Sequence, residues 1–408
     1  MTTSQLFWYG LGRIVFVLVV VVLVFAPIVL VAERRQSAMI QDRLGPSRAD
    51  VTIFGVKFTL GGLLHSMADA LKMIFKEDFV PPNADKFLHS IAPIIALIPT
   101  LATFAVIPFG DVMYLDHLGE FLPREGVPGA ITMPLQIASV NVGILFSFAI
   151  AGTGIIGAAI GGYASDNKFS LLGGLRAASQ MVSYEVALGL TLVPCFMMYS
   201  SLRLEDMARF QAEHAWGIFY PPLTVAAILY FTAAIAETKR VPFDAPEGES
   251  EIVAGYFTEY SGFKFGMFYM GEFIEVVALA CFAAVMFFGG WDVPFLYRDG
   301  WDLPGTWTLT MPAFHVGSHG WDAFTLLSDT IRMRHFGVLV IQVLVFFFVK
   351  VAALVWFQLM IRWSLPRFRY DQIMALCWKG LLPVALANTL VTAIWILYLE
   401  PHVRHLFG

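Results

Sequence analysis

Residues 265–289 read FGMFYMGEFIEVVALACFAAVMFFG, an uninterrupted apolar run long enough to cross a bilayer that carries two carboxylates, Glu272 and Glu275, near its middle. A charged side chain at the centre of a membrane helix costs roughly 2.5–3.5 kcal/mol on insertion scales, so such residues usually face a bundle interior or a water-filled path. This segment therefore sets both questions for the chain: how many helices surround it, and what its carboxylates do.

Outward from it, seven further apolar segments of similar length appear, at 11–32, 87–109, 134–160, 177–199, 217–236, 337–361 and 378–399. The expected fold is an all-α polytopic membrane protein of about eight transmembrane helices, forming one integral membrane domain over residues 1–408. Composition agrees. Hydrophobic residues make up 58% of the chain and charged residues 14%, against about 25% charged in soluble domains, and the mean hydropathy is +0.71. The net charge of −5 argues against nucleic acid as a partner. The 11–32 run is too long for a signal-peptide core and is followed by Glu33-Arg34-Arg35 rather than by a cleavage site, so it reads as a retained first span. With the N-terminus exoplasmic, the inner segments hold 17 Lys and Arg and the outer ones 8; this asymmetry places both termini outside.

Three stretches between spans stand out. The inner segment 33–86 contains a helical pattern over 63–76 with Asp69, Lys72 and Lys76 on one stripe. It is too short and too charged to span, so it is expected to lie at the inner membrane surface. The inner loop 237–264 is acidic, with Glu247, Glu249 and Glu251 alternating, so that an extended backbone would carry all three on one side. The outer loop 290–336 is long, with Trp291, Trp301, Trp307 and Trp321 as a boundary belt. Its His315 and His319 lack a third ligand, and Cys195, Cys281 and Cys377 have no metal-ligand spacing, reading instead as small core residues. Gly152-Thr153-Gly154-Ile155-Ile156-Gly157 matches a dinucleotide fingerprint, but inside an apolar span it reads as close helix packing.

Besides Glu272 and Glu275, Glu185 and Lys350 fall inside spans and Glu237 ends one. Desolvation favours the neutral form of ionisable groups, so a set of this kind reads as a proton path. Buried ion pairs that fix helix register are the structural alternative.

At these residues the chain resembles the H subunit of bacterial respiratory complex I, the homologue of the mitochondrially encoded first NADH dehydrogenase subunit. The resemblance runs through Glu33-Arg34-Arg35 with Gln41, Arg43 and Gly45-Pro46; Ala68-Asp69 with Lys72; Arg176 to Gln180 and Ser183-Tyr184-Glu185; Glu237 to Arg240, Pro242-Phe243-Asp244, Glu247-Gly248-Glu249, Glu251 and Glu259-Tyr260-Ser261; and Pro366-Arg367-Phe368-Arg369-Tyr370-Asp371-Gln372. Departures are His65, Ala245 and Ser47, where Gln, Leu and Asn are usual.

The resemblance implies a subunit at the junction of membrane and peripheral arms, with a quinone chamber walled by the first span, the amphipathic helix and the sixth span. It implies that Arg34, Arg35, Arg43, Asp69, Lys72 and Phe243 line or support the quinone path. It implies that Glu185, Glu237, Asp244, Glu247, Glu249, Glu251, Glu259 and Glu272 serve proton coupling, with Lys350 and Arg176 as charge partners. In that family the chain binds no cofactor. Quinone is the substrate, and FMN and iron–sulfur clusters sit in partner subunits, among them the peripheral subunit with the terminal cluster. Small membrane subunits, antiporter-like subunits and lipids are the other implied partners, and the bacterial inner membrane the location. A secondary transporter, the homologous subunit of a membrane-bound hydrogenase or formate hydrogenlyase, and a purely structural anchor remain as alternatives. They are separated by ion transport by the isolated chain, by response to hydrogen or formate, and by loss of assembly rather than turnover on neutralising the carboxylates.

Overall fold

In the computed structural model the chain is described over residues 3–53, 56–58, 60–115, 131–294, 296–297, 300–302, 308–310 and 338–399. Six helices there are long and apolar enough to cross a membrane: α3 (Lys86–Val106), α4 (Gly143–Ala164), α5 (Lys168–Tyr199), α8 (Gly262–Phe287), α9 (Val338–Ser364) and α10 (Tyr370–Tyr398). Two more helices complete the expected set. One is α1, a continuous helix over residues 3–40, and the other is the shorter α7 (Pro221–Glu237). Between them lie the amphipathic α2 (Leu63–Phe75) and, unforeseen from sequence, α6 (Leu204–Glu213). The all-helical membrane class is as expected.

Local chemistry sets the ends. Pro221 and Pro222 open α7, where their missing N–H groups cost nothing. Asp85 caps α3 by accepting from Phe87 and Leu88 N–H, and Asn167 caps α5 by accepting from Phe169 N–H. In α1 the stretch Val19–Phe25 is wound wider than an α-helix just before Pro27, whose ring and absent N–H disturb the hydrogen-bond ladder there.

Several expected boundaries shift: α1 runs over residues 3–40 where 11–32 is expected, and α10 begins at Tyr370 where 378 is expected. The third span begins at Gly143, not 134, because Pro134 lies in a hairpin formed by β3 (Gly110–Leu115) and β4 (Ile131–Leu135); β1 (Val51–Ile53) and β2 (Val56–Phe58) make an earlier one. Gln136 and Ser139 then turn to donate to Glu205 at 3.0 Å each. The fourth span begins at Lys168, not 177, and at 32 residues it is about 48 Å long at 1.5 Å per residue. It therefore outreaches the roughly 30 Å hydrocarbon core. Of the outer loop 290–336, Trp291 is buried, and three short antiparallel strands, β5 (Leu296–Tyr297), β6 (Gly300–Asp302, with Trp301) and β7 (Thr308–Thr310), are present. Trp307, Trp321, His315 and His319 lie outside the described residues.

The core sits on α8, which packs against α1, α2, α3, α6, α7 and α9. In its most apolar 18 residues 89% are buried, against 22% for α10. The glycine motif in α4 serves packing: a Cβ on Gly157 would lie 2.6 Å from the Ala96 backbone nitrogen of α3. The three cysteines are buried and free, within α5, α8 and α10.

Candidate functional site: two cavities on one helix

Helix α8 separates two cavities. The larger, about 910 Å³, opens between α1, α2 and the inner half of α8. Its polar edge comes from Arg34, Ser66, Asp69, Lys72 and Lys76, and its apolar wall from residues including Leu30, Phe265, Tyr269, Met270 and Phe273. Helix α2 explains the asymmetry. The stripe predicted from sequence, Asp69, Lys72 and Lys76, lies along the rim of the cavity with both lysines still exposed, Met67 and Ile74 line it too, and Leu71 and Phe75 stand outside it, more than half exposed. Ser66 ties α2 to α1 by donating to the Pro27 carbonyl at 3.2 Å, and Arg34 pairs with Asp69 at 2.6 Å.

Not all the expected chamber residues line it. Arg35 packs beside Gly45 and Gly61, and Arg43 donates to Gln41 (2.6 Å) and Ser37 (3.4 Å) on the inner flank. Phe243 is buried in the following loop, between Tyr184 and Phe368 at ring-centre distances of 5.9 and 5.5 Å. His65 accepts from the Arg48 and Ala49 N–H groups at 3.0 Å each, so it fastens the preceding loop to α2.

On the other side of α8 is a smaller cavity of about 60 Å³, lined among others by Glu185, Glu237, Lys239, Tyr256, Glu272 and Glu275. That is room for a few water molecules. The elements converge for identifiable reasons. Gly152 of α4 leaves the space that the Glu185 carboxylate occupies, since a Cβ there would be 2.8 Å from Oε1. Gln180 of α5 donates to the carbonyls of Ala236 (2.8 Å) and Phe243 (2.7 Å), folding the loop after α7 back into the bundle. Glu237 is consequently buried, and its Oε2 has no hydrogen-bond partner among the described residues.

Glu272 is the hub. It accepts from Tyr256 Oη at 2.9 Å and lies 3.6 Å from Lys239 Nζ and 3.5 Å from Arg240 Nη2. Arg240 also lies over the rings of Phe273 (4.3 Å) and Tyr269 (5.5 Å), which face the large cavity. It is therefore the contact between the two sides. Lys239 and Arg240 stand out in the sequence only as part of the 237–240 stretch, and nothing in local spacing marks Tyr256, sixteen residues from its partner Glu272.

The acidic loop is not the one-sided ladder expected. After Gly248 the chain enters a helical turn, Glu249–Ile252, with Glu251 and Ile252 N–H donating to the Gly248 carbonyl. A helical step rotates successive residues by about 100°, so the alternation is lost. Glu247 points inward to Glu272, while Glu251 points outward to Arg176 at 2.7 Å. Burial and the neighbouring Glu272 carboxylate hold Glu247 well above the usual carboxylate range. Burial likewise pushes Asp244 up to about 6, opposed by Arg367.

The remaining residues fall elsewhere. Glu259 accepts from Asn167 at 2.7 Å, away from the acidic cavity. Arg176 partners Glu251, not Glu185 or Glu272. Lys350 is also a correction: its ammonium donates to the carbonyls of Phe288 (2.7 Å), Gly290 (2.9 Å) and Asp292 and sits 4.4 Å over the Trp216 ring. It closes the outer end of α8, where helix carbonyls run out of partners and a cation is favoured. Glu33, next to Arg34 and Arg35 after the first apolar run, is buried in an ion pair with Arg362 of α9.

Fold and site together define a polytopic helical membrane protein with a charged interior, the class in which ionisable groups mark ion or substrate pathways. The chain belongs to the NADH dehydrogenase family, whose model matches residues 12–393. It is similar to H subunits of NADH-quinone oxidoreductase from several bacteria. The H subunit numbered 1 in Geobacter metallireducens is 41% identical over 380 residues (93% of this chain, 94% of that one). The second of those numbered in Koribacter versatilis is 37% identical over 394 residues (95% and 98%), and the H subunit of Flavobacterium psychrophilum is 37% identical over 385 residues (93% and 96%).

Proposed function

We propose that this chain is the membrane-arm subunit of a proton-translocating NADH:quinone oxidoreductase that walls the quinone chamber and couples quinone reduction to proton movement. The observation that carries the reading is the pair of cavities sharing α8. The 910 Å³ cavity has an apolar body and a few convergent polar groups, as ligand sites do, which suits a quinone with its isoprenoid tail. Arg34, Asp69 and Lys72 then meet the headgroup path.

Behind the shared wall, Glu185, Glu237, Glu247, Glu272 and Glu275 crowd around Lys239 and Arg240. The surplus of carboxyl groups over cations lets this cluster hold protons as well as charge. Reducing the quinone takes up two protons. Drawing them from nearby donors changes the charge near Arg240, and a unit charge at reduced dielectric shifts neighbouring carboxyls by amounts that move protons. The disturbance passes from Glu247 and Glu272 to Glu237 and Glu185, and from there toward neighbouring membrane subunits.

In this reading the redox centres, FMN and iron–sulfur clusters, belong to partner subunits of the peripheral arm. Both termini face the exoplasmic side of the bacterial cell membrane. The test is Glu237→Gln in the assembled enzyme. NADH–quinone turnover should fall on the order of tenfold or more, as for loss of a proton-transferring group, while NADH oxidation by a hydrophilic artificial acceptor is retained. Normal coupled turnover in the mutant would remove Glu237 from the path.

A further inference from the structure

The link between α9 and α10, residues 365–369, runs along the back of the acidic loop. Phe368 N–H donates to the Pro242 carbonyl at 2.9 Å, and the Phe368 ring packs on Phe243. Between these anchors Arg367 reaches over the loop. Its Nη2 donates to the Asp244 carbonyl and stands 3.8 Å from Asp244 Oδ2. Gly248 completes the seat, because a Cβ at that position would collide with the Arg367 guanidinium.

We propose that Arg367 is a positioning residue of the acidic loop: its guanidinium pins the 244–248 turn against the bundle and so governs proton exchange between Asp244 and the Glu247–Glu272 pair. The inference rests on the reading that this loop lies in the coupling path. Arg367 touches the loop's backbone and stands beside its carboxylate at once, which a surface ion pair does not. On either side of the 244–248 turn the chain is held by Gln180 on the Phe243 carbonyl and by Arg176 on Glu251; Arg367 is the side chain that reaches the turn itself.

The charges facing Asp244 are Arg367 and Arg362, which favour its ionised form, and Glu272, which opposes it; Asp244 and the Glu247 carboxyl also oppose each other's ionisation, while the Glu247 N–H favours that of Asp244. Removing the charge of Arg367 leaves burial less opposed, so Asp244 holds its proton to higher pH. An opposite charge at this range shifts a carboxyl by about one unit or more.

The experiment compares Arg367→Gln, Arg367→Lys, Asp244→Asn and the Asp244→Asn/Arg367→Gln double variant in native membranes. Coupled NADH–quinone turnover is recorded against pH and normalised to NADH oxidation by a hydrophilic acceptor in the same membranes. In Arg367→Gln the limb of the profile due to Asp244 should move up by about one pH unit, and in Arg367→Lys by less. The double variant should match Asp244→Asn alone. A profile for Arg367→Gln that superimposes on the parent, or a shift that persists without Asp244, overturns the proposal. Should Arg367→Gln fail to assemble, Arg367→Lys, which keeps the charge and loses the fork, decides by its smaller upward shift, which must be present and must vanish in the Asp244→Asn background; its absence, or its persistence without Asp244, overturns the proposal. Asp244→Asn with unchanged rate and profile would instead remove the loop from the coupling path, a separate result that overturns the parent reading and this proposal with it.

Discussion

Glu272 and Glu247 form a buried acidic pair beside two buried cations, and their substitution should be strongly non-additive. In Glu272→Gln the cations Lys239 and Arg240 lose the carboxylate that lies within 3.6 Å of each. Removing one partner of a buried ion pair costs about 3–5 kcal/mol when nothing replaces it. Here something does. Glu247 is held neutral largely by burial and by the charge of Glu272, while Arg240 favours its ionised form. Neutralising Glu272 removes the second of these causes and leaves burial, so Glu247 ionises more readily and takes over part of the pairing. Glu272→Gln should therefore cost about 1–2 kcal/mol less than the full figure. Glu247→Gln alone, which replaces a neutral carboxyl, should cost about 1 kcal/mol. The double variant leaves both cations without either carboxylate and should bear the whole penalty on top of the cost of Glu247→Gln, giving a coupling energy of about 1–2 kcal/mol. The assay is the half-life of intact complex on native gels after heating in mild detergent, each 1.4 kcal/mol in a local opening step being about tenfold in rate. Additivity within about 0.5 kcal/mol would refute the reasoning, since it would mean that Glu247 does not respond to Glu272.

Gly157→Leu should separate α4 from α3 and lose most assembled complex, an overpacking cost of about 1–3 kcal/mol or more. Gly189→Ala, whose Cβ meets nothing within 4 Å, should be neutral or stabilising by up to about 1 kcal/mol; immunoblots of native gels compare the two. Lys350→Ala leaves three carbonyls at the end of α8 without their donor and should cost about 1–3 kcal/mol in heat resistance. Asp244 gives a pH signature with a definite sign. A carboxyl raised from 3.8 to about 6 on folding contributes its stability below 3.8 and loses it as pH rises through about 6. Asp244→Asn should therefore protect the inner loop in hydrogen exchange by about 1–2 kcal/mol at pH 7.5 and give no advantage near pH 4.

How far the sequence reaches depends on the range of the physics involved. Apolar length is a local signal, and all eight expected spans coincide with helices. Boundaries failed where polar side chains made distant bonds: Gln136 and Ser139 find Glu205 of α6, so the chain before Gly143 is held as a hairpin. The stripe on α2 was legible because residues three and four apart share a helix face. Intramembrane carboxylates were legible as a set, since burial makes them costly wherever they point. Their partners were not. Lys350 is as conspicuous in sequence as Glu272, yet its ammonium meets carbonyls rather than carboxylates, a choice made by how α8 ends. The alternation of Glu247, Glu249 and Glu251 misled because one helical turn at Gly248 suffices to break it.

The near-complete enclosure of α8 has a consequence for how the molecule answers its surroundings. A helix with protein on nearly every side exchanges little with annular lipid, so membrane thickness or acyl-chain order reaches it only through the outer helices. Helix α10, mostly uncovered in this chain, offers the largest apolar face to lipid or to neighbouring membrane subunits. The partition between the cavities is thus mechanically insulated. A ligand pressing on Tyr269 or Phe273 meets the backbone that carries Glu272 within a single turn, with no hinge or fluid layer between to absorb the displacement.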